Sequence, residues 1–185
     1  MTTARTILVA TDLSAPARHA VQRALLLASL AGSDVHIVHA LELDTLDSLR
    51  EMLGANLSTT KAALEADARE RLAQLATDAA DRHGIAAQTR VAAGAPLAVI
   101  AREADALDAG LLVLGARGES FLRHAMLGSP AARLLRKSVR RPVLVVKQPP
   151  RENYRSVLVA VDFSPASRLA IREAIDPFLA PSEKR

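Results

Sequence analysis

The chain has 185 residues, half of them hydrophobic and 24% charged, with a formal charge of +4 and neither cysteine nor tryptophan. That is globular composition, enough for one ordinary domain with a remainder, and it excludes disulfides and thiolate metal sites. The positive excess is small, arginine is scattered among Asp and Glu, and no aromatic platform for bases is interleaved with it, so nucleic acid is not expected as a partner.

Apolar runs are broken by charge well before the roughly 18 residues of a membrane span. The opening residues 1–5 carry no charged start, apolar stretch and cleavage site in succession. A cytoplasmic protein with no membrane partner is therefore expected.

Residues 6–11 form a short apolar run, as a strand covered on both faces requires. Asp12 and Ser14 follow. Residues 15–31 then place Ala20, Val21, Ala24, Leu25, Leu27 and Ala28 at helical spacing, with Arg18 and Arg23 off that stripe. Gly32 is positioned to end this helix, and residues 35–41 read as the second strand. Residues 43–57 are ambiguous: a helical turn or two within a long connection, with Gly54 and Asn56 against one continuous helix.

Ser58 caps a helix over residues 59–83 that stops at Gly84. Residues 86–93 read as a weaker third strand. Gly94-Ala-Pro96 opens a helix to about Leu107, with Pro96 in its first turn. Residues 109–114 are the fourth strand, followed by a glycine loop, a short basic helix over 130–138 and a fifth strand over 142–146. The alternation predicts a three-layer α/β fold: a five-stranded parallel sheet with helices on both faces, of flavodoxin or Rossmann type. Such sheets bind ligands beyond the carboxyl ends of the strands, where the winding reverses. The first and fourth strands flank that crevice, which puts Asp12 and Gly115 beside it.

The pattern then restarts. Arg5-Thr-Ile-Leu-Val-Ala-Thr-Asp-Leu-Ser14 returns as Arg155-Ser-Val-Leu-Val-Ala-Val-Asp-Phe-Ser164, and the register continues through Arg18 and Arg168, Ala20 and Ala170. This divides the chain into residues 1–148, a proline-stiffened linker over 149–153, and a second copy over 154–185 that comprises one strand and one helix. A lone strand and helix make no core, so the copy is expected to dock on the first domain, dock on a partner chain, or stay mobile.

The central motif is Gly115-Ala-Arg-Gly118, nine residues, then Gly128-Ser129. Glycines let backbone N–H groups approach an anion, and Ser129-Pro130 reads as an N-cap and first helical residue, whose free N–H groups suit phosphate. Arg117 and Arg123 add positive charge. This spacing, between this strand and this helix, resembles the universal stress protein family, whose ATP-binding members carry Gly-x2-Gly-x9-Gly-[Ser/Thr]. The opening segment 6–14 and the closing Arg140-Arg-Pro-Val-Leu-Val-Val146 are also similar to that family.

The resemblance implies a fold akin to the adenine nucleotide alpha hydrolases. It also implies a stress role and a nucleotide site. Gly115, Ala116, Arg117, Gly118, Gly128 and Ser129 would meet ribose and phosphates, Ala10, Thr11 and Asp12 would face the nucleotide, and the backbone of Ala40 and Leu41 would meet adenine. ATP is the implied ligand, with Mg2+ at Asp12 a further candidate. It further implies a homodimer through Val143–Val146, with unidentified protein partners. Pro130 departs from the family's apolar non-proline residue, and removing one N–H donor weakens phosphate binding roughly ten- to a hundredfold.

Simpler readings stand beside these. The glycines shape a tight turn in any case, Ser129 serves as a helix cap, and Asp12 equally well satisfies backbone donors. His36 and His39, read as sharing one strand face, suit packing or hydrogen bonding better than a metal. His124 lies in the loop, and His19 and His83 on helix surfaces. No nucleophile is paired with a base. The alternatives to an ATP-responsive regulator are a nucleotide-free interaction module of the same fold and a weak ATPase.

Overall fold

The computed structural model describes residues 6–42, 58–116, 141–162 and 164–175. The expected connection 43–57, most of the glycine loop and the basic helix 130–138 lie outside the described residues.

Five strands form one parallel sheet: β1 (Ile7–Ala10), β2 (Val35–Leu41), β3 (Gln88–Ala93), β4 (Leu111–Gly115) and β5 (Val143–Val146). Their spatial order is β3-β2-β1-β4-β5, which is the Rossmann winding of the two named above. Chain order runs outward from β1 to β3 and then returns to β4, so the winding reverses between β1 and β4. These two strands are paired directly, with Ile7 opposite Leu111 and Ala10 opposite Leu114.

The helices are α1 (Ala15–Ala31), α2 (Ser58–His83), α3 (Pro96–Ala106) and α4 (Pro165–Ile175). Because strand side chains alternate, β1 sends Ile7 and Val9 to one face and Leu8 to the other. The first set meets Val35, Ile37, Leu111 and Val113 beneath α1 and α2. The second meets Val38, Leu112 and Leu114 beneath α3, through Val99, Ile100 and Ala104. Each large aliphatic side chain fully buried this way contributes about 1.5–3 kcal/mol. Both faces of β1 and β4 being covered explains their unbroken apolar runs.

Helix ends follow the sequence closely. Ser14 accepts from Ala17 N–H at 3.3 Å as the cap of α1, and Gly32 ends that helix at φ 64°. Gly84 does the same after α2 at φ 65°, conformations that cost a side-chain-bearing residue roughly 1 kcal/mol. The alternation also corrects one reading. His36 and His39 are three residues apart in β2, so they point to opposite faces.

Arg23 requires a second correction. It lies off the apolar stripe by sequence, yet it is buried. The chain after β5 runs across it: Arg23 Nη1 donates to the Glu152 carbonyl at 2.9 Å, and its guanidinium lies 4.1 Å from the Tyr154 ring centroid. Tyr154 in turn packs against the core beneath α1. The segment around Glu152 and Tyr154 is thereby fastened to α1.

The second copy reproduces half of what its sequence predicts. Helix α4 forms, and its cap copies that of α1: Ser164 N–H bonds Asp162 Oδ1 at 3.0 Å and Ser167 N–H bonds Ser164 Oγ at 3.3 Å, matching Ser14 with Asp12 and Ala17 with Ser14. The expected strand is absent, since residues 155–162 are neither helix nor strand. Leu8 is 0% exposed while its counterpart Leu158 is 97% exposed. The reason is partnership: β1 lies between β2 and β4, and the described second copy supplies neither neighbour.

Hydrogen bonds from the Ser164 and Ser167 side chains hold the Asp162 carboxyl down at about 2. An unfolded Asp titrates near about 3.9. The ionised form is favoured by folding, so this cap adds stability above pH ~4 and loses it as pH falls through ~2. NMR titration of Asp162 should give that low value, and Ser167→Ala should raise it. An ordinary carboxyl titration in the parent chain would contradict the capping geometry.

Arg141 fixes the entry to β5. Its side chain is 16% exposed, bonds Asp105 at 2.8 Å and Asp108 at 3.1 Å, and donates to the Ala109 carbonyl at 2.8 Å. The hydrogen bond to Asp105 is the main cause of its raised pKa. Three bonds tie β5 to the α3–β4 corner. Arg141→Ala is expected to cost about 2 kcal/mol by urea unfolding, since charged hydrogen bonds contribute ~1.5–3 kcal/mol and two acceptors are exposed. A loss within error of zero would refute this role.

Candidate functional site

The site is assembled where β2, β1 and β4 end side by side. Ala10 lies opposite Val38 on one side and Leu114 on the other. Backbone pairing continues past the strands: Thr11 N–H reaches the Val38 carbonyl at 2.9 Å, and Ala116 N–H reaches Val146 at 2.7 Å. Ala10, Thr11 and Asp12, then Gly115 and Ala116, and on the other flank Ala40 and Leu41, therefore share the carboxyl edge of three adjacent strands. This edge is where a sheet so wound is expected to meet a ligand.

The β1–α1 turn is held by its own side chains. Buried Thr11 accepts Leu13 N–H through Oγ1 at 3.0 Å, and Asp12 Oδ1 accepts Ser14 N–H at 3.0 Å. Asp12 thus serves the turn with at least one oxygen, as the simpler reading of it has it. Between them Leu13 adopts φ 63°, a left-handed conformation that costs a residue with a side chain about 1–2 kcal/mol. Its side chain is nonetheless buried in the core, and Arg71 Nη2 donates to its carbonyl at 3.2 Å. Strain retained by surrounding contacts is common where a backbone must face a ligand.

His39 lies at the same edge, with Nδ1 2.9 Å from the Thr11 carbonyl. A carbonyl only accepts, so Nδ1 carries the hydrogen in this contact. The hydrogen-bonding reading of His39 holds. Neither Arg71 nor the Leu13 conformation was visible in the sequence. The Arg71 contact spans 58 residues and joins two elements whose packing only the fold reveals.

Arg117, Gly118, Gly128 and Ser129 lie outside the described residues, as do Arg123, His124 and Pro130. Among the described residues no group of three or more His, Asp or Glu gathers as a metal site. At the sheet's margin β5 is an edge strand, with Val145 53% exposed. No helix among the described residues is long and apolar enough to cross a membrane.

A five-stranded parallel sheet of this order, its winding reversing between β1 and β4, defines the class of doubly wound α/β proteins. The model of the universal stress protein family matches residues 3–147, and the chain belongs to that family. Universal stress protein MJ0531 of Methanocaldococcus jannaschii is 37% identical over 73 residues, which are 40% of this chain and 42% of that protein. Among solved structures, a universal stress family protein from Burkholderia pseudomallei is 26% identical with TM-score 0.59, over 80% of this chain and 99% of its own. The universal stress protein UspA of Lactobacillus plantarum shares the fold at 20% identity and TM-score 0.63, over 80% of this chain and 100% of its own. A universal stress protein solved in complex with cAMP is 26% identical with TM-score 0.51, over 77% of this chain and 95% of its own.

Proposed function

We propose that this chain is a regulatory protein that binds ATP at the β1/β4 crevice and acts through dimerisation and partner binding. The observation that carries the reading is the junction of the Thr11–Ser14 turn with Gly115 and Ala116 at the reversal of winding, where the sequence continues as Gly-x2-Gly-x9-Gly-Ser. Ala40 and Leu41 supply backbone to adenine, Gly115 to Gly118 and Gly128-Ser129 supply N–H groups to ribose and phosphates, and Asp12 meets Mg2+ carried on the phosphates. The universal stress protein solved with cAMP, an adenine nucleotide, supports this ligand class. A cytoplasmic, stress-linked role follows from the same reading, and the copied cap at Ser164 supports residues 154–185 as the start of a second repeat.

Calorimetric titration with ATP and Mg2+, beside Gly118→Val and Ser129→Ala, is the test. Micromolar binding that is lost in the glycine variant supports the reading. No binding up to millimolar ATP by folded protein overturns it. The exposed apolar edge of β5 favours a second reading, an interaction module that associates through Val143–Val146 without nucleotide. Sedimentation showing dimers that Val145→Lys dissociates, together with no ATP binding, would establish that one.

A further inference from the structure

On the face away from α3, a groove of about 470 Å3 runs between α1 and α2 and is closed at one side by Pro150 and Arg151. Leu13, Val21, Leu25 and Leu75 line it, the first three buried in the core. Its rim carries Arg18, Arg71, Arg82 and Arg151 against a single carboxylate, Asp78. That carboxylate already accepts from Gln74 at 3.2 Å. Arg71 makes one long, exposed contact with Asp67 at 3.5 Å, and no ion pair engages Arg18, Arg82 or Arg151 among the described residues.

Arginines along a groove whose lining is partly aliphatic suit a ligand with both an anionic group and an apolar body. The volume is that of a small-molecule site. The apolar side chains that line the groove, Leu13, Val21, Leu25, Leu26 and Leu75, are all aliphatic, which suits an aliphatic body. In a parallel sheet both helices begin at the carboxyl edge. Arg18, in the first turn of α1, and Arg71, bonded to Leu13, therefore mark that end, where the α1 dipole also favours negative charge.

We infer that this groove binds an aliphatic carboxylate, its chain along the partly exposed Leu26 and Leu75 and its head group at Arg18 and Arg71. The groove lies between α1 and α2, and among the described residues it shares Leu13 with the β1–α1 turn. Pro150 and Arg151 make the linker one of its walls.

Calorimetry of the full chain with decanoate, decanol, glutarate and hexaglutamate tests this. Decanoate should bind, decanol and glutarate should bind at least about tenfold more weakly, and Arg18→Gln and Arg71→Gln should each weaken decanoate about tenfold. Decanoate should also slow tryptic cleavage after Arg151. Unchanged melting temperatures keep the variants interpretable, and Leu75→Asp, at a half-buried position, tests the chain's path independently. Equal binding of decanol, undiminished binding in the double arginine variant, hexaglutamate binding as tightly as decanoate, or no decanoate binding by folded protein would each overturn the inference.

Discussion

Gly118→Val is expected to weaken ATP at least ten- to a hundredfold while leaving the urea midpoint nearly unchanged. A backbone N–H held against phosphate is a charge-assisted hydrogen bond of about 1.5–3 kcal/mol, which is that range of affinity. Valine also puts a branched Cβ where glycine allows close approach. The crevice's rigid half explains why stability should hold. Thr11, Asp12 and Ser14 are fixed by bonds within their own turn, and Gly115 and Ala116 by pairing to β5. None of these bonds uses Gly118. Calorimetry and urea unfolding on the same sample separate the two effects. A large affinity loss with an unchanged midpoint assigns the loop to the ligand. Unchanged affinity would leave the glycines as turn formers only. Pro130 already removes one donor, so the parent affinity is itself informative: binding in the micromolar range means the remaining donors suffice.

The sequence made α1, β2, β4 and both helix-ending glycines readable because local chemistry decides them. Ala15–Ala31 carries an apolar stripe between a serine cap and Gly32, and the structure keeps those bounds. Asp12 and Gly115 met at one edge because strand alternation with helix leaves few windings. Nonlocal facts were illegible. Arg23 looks like a solvated helix residue until Glu152 and Tyr154, about 130 residues onward, fold across it. Leu13 has no sequence feature that announces a positive φ. The pattern of residues 155–162 is nearly that of β1, yet a strand is a property of its neighbours as much as of its residues. The misplaced pairing of His36 with His39 is different in kind, because strand periodicity alone settles it against a shared face.

Helix α4 shows how far a repeated sequence can act without its sheet. The Asp-x-Ser turn and serine cap need only residues within five positions of each other, so they form in both copies. Burial needs partners. Val157, Leu158 and Val161 therefore remain exposed, a cluster of the kind that is covered when a matching surface is present. The same reasoning applies to β5, whose outer edge pairs with no other strand among the described residues and carries exposed Val145.

Leu112→Ala should be among the most costly single substitutions in the described sheet, at about 3–5 kcal/mol. Leu112 is 0% exposed and sits in β4, paired to Leu8 on one side and Val143 on the other. It packs with Val99, Ile100 and Ala104 in the cluster beneath α3. Strands hydrogen-bonded on both sides cannot close around a deleted isopropyl group, so the lost transfer energy is joined by a cavity cost. Val145→Ala on the exposed edge provides the contrast, with an expected change of about 0.5 kcal/mol or less. Urea unfolding should show the Leu112 variant with a lower midpoint and an unchanged slope, as for a folded state weakened without changed compactness. A cost below about 1 kcal/mol would mean that this face of β4 is not packed as described. Because β4 also delivers Gly115 to the crevice, the comparison bears on function. With the variant still folded at low temperature, ATP affinity should stay within about twofold of the parent if the sheet keeps its register. A large affinity loss there would mean that the position of Gly115 depends on core packing beneath it.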